Sequence, residues 1–298
     1  MTPLQYGLQP VGFRLPDATR LGRARIQVTD LARSTAFYTD VLGFRVIAQR
    51  DGVAELGAHC DDRVILELHA GAARPVPRRG RQGLFHFAIL LPDRASLGRL
   101  LVHLAGLGVH AGASDHLVSE AIYLSDPDGL GIEVYADRPR NAWRHVDREL
   151  TMSTEPMDAR AVAEAAGGAP WTGMPAGTVL GHVHLHVGAL DEARAFYHDA
   201  LGFDLVVWSY PGALFFSAGG YHHHLGTNTW AASQPSAAAD DARLIDWEIV
   251  LPDDAAVRAA RASVAKTGRA TEDVPGGWTA SDPWGTKVRV IQELDDRS

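Results

Sequence analysis

"ALDEARAFYHDALGF" at residues 189–203 repeats an earlier stretch, "DLARSTAFYTDVLGF" at 30–44, sharing its Ala-Phe-Tyr and Leu-Gly-Phe positions at an offset of 159 (196 − 37). Two more pairs keep nearly the same step. "LLPDRASL" (90–97) answers "VLPDDAAV" (250–257), with Pro92 and Pro252 offset by 160 (252 − 92), and "SDPDG" answers "SDPWG", with Asp126 and Asp282 offset by 156 (282 − 126). Repetition at one spacing through the whole chain means a duplicated architecture. Each half divides again into a strand, an amphipathic helix ending near a glycine (Gly43, Gly108, Gly202, Gly268), and a meander of short apolar runs separated by turn residues. The expected unit is therefore βαβββ, in four copies at about 22–70, 84–137, 180–230 and 243–294.

One such unit has a curved sheet that cannot close a core alone, so units should associate in pairs. The expected fold is α+β, with four modules forming two curved-sheet cups. An N-terminal half (1–138) precedes a Gly- and Pro-containing connector (139–179), and a C-terminal half (180–298) follows. A helix is expected in the connector around Met157–Ala166.

The chain has 298 residues, of which 46% are hydrophobic and 21% charged, enough for a full core and two domains or one pseudo-symmetric double domain. A net charge of −8 argues against nucleic acid as a partner, and "RPVPRRGRQG" (74–83) reads as a solvated loop. No apolar run approaches the roughly 20 residues needed to cross a bilayer. The N-terminus does not read as a secretory signal, and Cys60 is the single cysteine, so a membrane role is not expected and a reducing, cytoplasmic location is.

Fourteen histidines are the compositional oddity. His182, His184 and His186 alternate in "GHVHLHV", which puts them on one face of a strand; the run His222, His223, His224 should divide between two faces, with His222 and His224 opposite His223. A carboxylate stands out as well. Glu133 interrupts the apolar run of "SDPDGLGIEVYAD" (125–137), either as the polar side of a half-buried strand or as a group directed inward.

The fourfold βαβββ unit resembles the vicinal oxygen chelate superfamily of glyoxalase I, bleomycin-resistance proteins and extradiol dioxygenases, over nearly the whole chain except the first ~20 residues and the connector. "GASDHLVSEAIYLSDPDGLGIEVYADRPR", "GHVHLHV" and "GGYHHHLGTNTW" resemble the catechol 2,3-dioxygenase-like subgroup. Members place metal ligands on the first and last strands of paired units. Carried over, the resemblance implies His86, Glu133 and His182 as a metal triad, with His184 the alternative to His182 if the register slips by two. The same positions elsewhere hold Arg23, Asp246 and Arg289; arginine cannot ligate, because its guanidinium has no available lone pair. For the triad to assemble, the second module must pair with the third, and the first with the fourth.

The resemblance further implies Fe(II), with Mn(II) accepted by the same ligands, and a small aromatic diol and O2 as substrates. Tyr123, ten residues before Glu133, His116, seventeen before it, and His223, forty-one after His182, match the surrounding functional positions. They would act as hydrogen-bond donor (Tyr123), substrate-binding or positioning group (His116) and acid–base catalyst (His223); Asn228 and Trp230 would line the pocket. The rivals are a glyoxalase-like isomerase or lyase, which would need a second acid in the cup, and a metal-free protein that sequesters a small aromatic compound. Glu67, an acid in the first module, belongs to the other pair. A homo-oligomer is compatible with the sequence, which counts no subunits.

Overall fold

The computed structural model describes residues 6–293, so residues 1–5 of the N-terminal half and 294–298 of the C-terminal half, including the end assigned to the fourth unit, lie outside it. The first unit comprises β1 (Arg20–Val28), α1 (Leu31–Ala36), β2 (Arg45–Arg50), β3 (Val53–Gly57) and β4 (Val64–Ala70). The second comprises β5 (Gly83–Leu90), α2 (Arg94–Gly106), β6 (Gly112–Asp115), β7 (Ser119–Ser125) and β8 (Gly131–Asp137). The connector contributes the short strands β9 (His145–Val146), β10 (Glu149–Leu150) and β11 (Glu155–Pro156), and the helix α3 (Ala159–Ala165). The third unit comprises β12 (Val179–His186), α4 (Leu190–Arg194), β13 (Asp204–Val207), β14 (Ala213–Ser217) and β15 (Leu225–Asn228). The fourth comprises β16 (Arg243–Leu251), α5 (Asp254–Lys266), β17 (Glu272–Val274), β18 (Gly277–Ser281) and β19 (Lys287–Gln292).

Each repeated motif has a local cause. Asp93 and Asp253, the last residues of the two "LPD" motifs, cap α2 and α5 by accepting hydrogen bonds from Ser96 N and Ala256 N. Gly43, Gly108, Gly202 and Gly268 follow the helices at φ of 80°, 68°, 97° and 77°, the left-handed region where a side chain would be strained. In the "SDPxG" turns one carboxylate oxygen of Asp126 accepts from Asp128 N and Leu130 N, as that of Asp282 does from Trp284 N and Thr286 N. The other oxygen receives a tyrosine of the "AFY" motif, Tyr38 on Asp126 at 3.3 Å and Tyr197 on Asp282 at 2.9 Å. Those tyrosines sit in π-helical turns that continue α1 and α4. The motifs that revealed the duplication therefore bind each other across consecutive units.

Consecutive units do not share a sheet. One sheet has nine strands in the order β11-β6-β7-β8-β5-β12-β15-β14-β13; the other has eight, β17-β18-β19-β16-β1-β4-β3-β2. The second unit thus joins the third along the antiparallel β5–β12 seam, and the first joins the fourth along β1–β16. Each sheet curls into a half-barrel cup. A single apolar cluster includes side chains of both, with Tyr38 against Phe87 and Tyr197 against Trp247 at ring separations of 6.4 and 6.5 Å. No helix among the described residues is long and apolar enough to cross a membrane.

Candidate metal centre

Ala88 on β5 is the small residue around which the site is arranged. It pairs with Glu133 across the parallel β5–β8 ladder and with His182 across β5–β12. His86, two positions earlier on β5, faces the same way because side chains alternate. Three side chains from three adjacent strands therefore converge. Glu133 Oε2 lies 2.9 Å from His86 Nε2 and 3.1 Å from His182 Nε2, and one donor atom from each residue falls within 4.8 Å of the others. A register shift between Leu180 and His182 brackets Gly181, whose added Cβ would lie 1.9 Å from the Tyr135 hydroxyl.

All three are nearly inaccessible to bulk solvent, at 5%, 2% and 1% exposure for His86, Glu133 and His182. Burial pushes Glu133 upward, yet the His182 and His86 imidazoles hold its carboxyl well below the ordinary range. Burial lowers His182 to about 4, against the pull of Glu133. The group is thus a carboxylate held between two imidazoles, of which burial keeps His182 below its ordinary value. His182 Nδ1 is buried without a hydrogen-bond partner among the described residues, and His86 Nε2 has the Glu133 carboxylate at 2.9 Å but not in hydrogen-bond geometry, which native interiors rarely tolerate. Two imidazoles and one carboxylate at this spacing fit a divalent first-row metal, and they leave positions open for other ligands.

The triad lies at a cavity of about 250 Å³ that is also lined by Tyr123, His116 and His223. Tyr123 pairs directly with Glu133 across the β7–β8 ladder, so ten residues around the "SDPDG" turn become one cross-strand neighbour. Burial raises the Tyr123 phenol well above its usual range, and the Glu133 charge adds to that. His116 Nε2 lies 2.6 Å from the Tyr123 hydroxyl, while its Nδ1 lies 2.7 Å from Ser153 O. A carbonyl can only accept, so Nδ1–H donates to it, and with that hydrogen alone on the ring Nε2 accepts from the phenol.

His223 packs its ring 4.1 Å from that of His182. Burial, then His182 and His222, keep it well below the usual histidine value. The division of the triplet by strand alternation is corrected: His222, His223 and His224 precede β15 rather than lying in it, so the rule does not apply. His222 is not opposite His223, for their Nδ1 atoms are 2.7 Å apart. His224 points away, with Nδ1 accepting from Ala218 N.

His184 also lines the cavity, but Asn228 Nδ2 donates to its Nε2 at 3.0 Å. Its ring lies over Gly226, where a Cβ would come within 2.9 Å. Asn228 is buried behind the wall, whereas Trp230 forms part of it. Sequence reasoning missed the rest of the wall: Phe85, Ser114, Phe215, Tyr210 and the connector residues Met152, Ser153 and Thr154. The connector crosses the cup from β11, paired with β6, and Thr154 Oγ1 meets the Tyr210 hydroxyl at 3.0 Å. Phe85 adjoins His86 and could have been proposed from that alone; nothing in a repeat pattern marks a loop.

The other sheet holds charges at the matching positions. Arg25 reaches Glu67, Asp246 and Glu248 at 3.0, 2.7 and 2.6 Å, Arg23 reaches Glu67 at 2.8 Å, and Arg289 reaches Asp246 at 3.2 Å. Burial would raise Glu67, but the hydrogen bond with His69 and the Arg25 and Arg23 charges hold it at about 2.

The sequence profile of the Glyoxalase/Bleomycin resistance protein/Dioxygenase superfamily matches residues 20–134 and 179–290. A protein of Bacillus subtilis (strain 168) named catechol-2,3-dioxygenase is 45% identical over 271 residues, covering 89% of this chain and 94% of that relative. A solved structure from Bacillus subtilis subsp. subtilis str. 168 superposes with a TM-score of 0.66 at 13% identity, covering 95% of this chain and 87% of its own. Glyoxalase I from Zea mays gives 0.54 at 20% identity, covering 92% of each chain. At those identities the two structures speak for the fold.

Proposed function

The chain belongs to the Glyoxalase/Bleomycin resistance protein/Dioxygenase superfamily, and from that premise we propose that it is an extradiol dioxygenase, opening the ring of catechol or a substituted catechol with Fe(II) and O2. The observation that carries the proposal is the buried His86–Glu133–His182 group at a cavity shared with His223, Tyr123 and His116. The 45% identity to a catechol-2,3-dioxygenase supports it.

His86, Glu133 and His182 would hold the metal, which when bound supplies chelation of both catechol oxygens beside O2. The protein's own groups do the rest. The apolar wall of Phe85, Phe215 and Trp230 receives the ring and excludes water, and holding the reactants together converts an encounter into a local step. His223, neutral and at the cavity, takes a proton from a substrate hydroxyl and later returns one. Tyr123, whose phenol stays protonated, donates to a substrate oxygen when it turns from His116. No Lys or Arg lines the cavity among the described residues, which favours uncharged catechols over carboxylated ones. Mn(II) would fit the same donors. A cytoplasmic site of action agrees with the single cysteine.

Glu133 is the one carboxylate among the described lining residues, which weighs against the isomerase reading and its second acid. The test is anaerobic reconstitution with Fe(II), followed by O2 uptake and visible absorbance on adding catechol, alkyl- and chloro-catechols, with Glu133→Ala as control. A yellow ring-opened product matched by O2 consumption, and lost in the control, is expected. Metal retention without O2 uptake across the panel would sink the proposal.

A further inference from the structure

Behind His223 runs a chain of buried polar contacts that leads out of the cavity. His223 Nδ1 meets His222 Nδ1 at 2.7 Å, and His222 Nε2 meets Asp137 Oδ1 at 2.9 Å. Tyr221 also donates to Asp137 Oδ1, at 3.3 Å, and is itself 2.7 Å from the Tyr135 hydroxyl. His222 is fully buried, held between the rings of Tyr221 at 4.1 Å and Trp143 at 5.4 Å, whereas the Asp137 side chain is 27% exposed at the end of β8. The chain thus joins a cavity histidine to a carboxylate that touches solvent.

Hydrogen-bond bookkeeping fixes its polarity. A carboxylate oxygen only accepts, so the hydrogen between Asp137 and His222 sits on His222 Nε2. With a single hydrogen on its ring, His222 then presents a bare Nδ1, and the 2.7 Å contact places the hydrogen on His223 Nδ1. The nitrogen left to His223 for a molecule in the cavity is Nε2, carrying a lone pair. That is the form a base must have.

We propose that Asp137 and His222 are positioning residues that hold His223 in its Nδ1–H form and carry the proton it removes from substrate to the protein surface. The inference rests on the ring-cleavage reading for its chemistry but not for its geometry. When His223 Nε2 takes the proton of a substrate hydroxyl, the O–H bond breaks and an N–H bond forms. The hydrogen on His223 Nδ1 moves to His222 Nδ1, and the one on His222 Nε2 moves to Asp137. One proton has left the substrate and one has reached the carboxylate, with no electron transferred. His223 is now the Nε2–H form, an acid ready to return a proton to the ring-opening product. The arrangement uses the logic by which a buried aspartate fixes a catalytic histidine's tautomer, lengthened by one imidazole.

The first readout needs neither metal nor turnover. In metal-free protein labelled with ¹⁵N-histidine, long-range ¹H–¹⁵N spectra should show His223 protonated at Nδ1 and bare at Nε2. His222→Phe, which keeps the ring volume, and Asp137→Ala should both shift it toward the Nε2–H form. In Fe(II)-loaded enzyme the same variants should lose about tenfold or more in kcat, with KM for catechol and iron content unchanged. An Nε2–H signal for His223 in the wild type, or kcat within about twofold of wild type in both variants, overturns the relay. Wild-type protein with the derived tautomer that turns over no catechol overturns the ring-cleavage reading alone.

Discussion

Where the nine-stranded sheet carries His86, Glu133 and His182, the eight-stranded sheet carries Asp246, Arg289 and Arg23. Glu248 occupies the place of Ala88, paired with Arg289 as Ala88 is with Glu133. The two seams share topology and differ in charge balance. Arg23, Arg25 and Arg289 face Glu67, Asp246 and Glu248, so that cup neutralises itself and has no need of a cation. The other has one buried carboxylate, with no Lys or Arg among the described lining residues to balance it, a charge that a divalent ion would relieve. Duplication supplied one framework, and a few substitutions made one copy a candidate for chemistry and the other a clasp.

The largest test of that contrast exchanges a charge on each side. Glu133→Gln should abolish Fe(II) retention, read by metal analysis after desalting, and reduce ring cleavage to background. Arg289→Gln, at the matching position, should leave both within about twofold, because sites without shared partners behave independently. Equal losses would break the comparison.

Stability should respond the other way. Arg25 is the cation common to three carboxylates, and its side chain is 12% exposed. Arg25→Met should cost about 3 kcal/mol, since removing one partner strands buried charge, seen as a lower urea midpoint with Fe(II) affinity unchanged. A neutral result would mean that the clasp contributes nothing net to the fold.

The smallest effect concerns a feature the halves share. Burial raises both Asp126 and Asp282 to about 6, against the backbone N–H groups and tyrosine hydroxyls that favour their charged forms; Asp128 adds to the rise at Asp126. A carboxyl raised on folding holds its proton longer in the native state. Its stabilising contribution is present below about pH 4 and is lost as pH rises through 6. Asp126→Asn keeps the Oδ1 contacts and removes the ionisation. Relative to wild type, its stability should rise across that window by on the order of 2 kcal/mol, followed by denaturation at pH 4, 5, 6 and 7. Asp282→Asn should behave alike; a difference in sign would show that the duplicated turns have diverged.

Much of this was legible in the sequence because it recurs. The "AFY", "LPD" and "SDPxG" repeats placed the four units, and the ligand-competent types in the second and third predicted which units pair along a seam. Tyr123 was implied by the family resemblance, and its ten-residue distance from Glu133 becomes a cross-strand contact in the β7–β8 hairpin. What did not recur stayed hidden. Met152–Thr154 reach the cavity through the path of a connector, Glu248 matters only beside Arg25, and His222 meets His223 because the triplet lies in a loop where alternation has no force.

The seams also order events during synthesis. β5 finds β12 once residue 186 has emerged, and the remaining strands of that sheet follow by residue 228. β1, made first, waits for β16 at residues 243–251, across more than two hundred residues of intervening chain. Closing so long a loop is the slow, entropically costly step. The nascent chain is thus expected to finish the cup bearing His86, Glu133 and His182 before the clasp, leaving the edge of β1 as the surface a chaperone would have to guard.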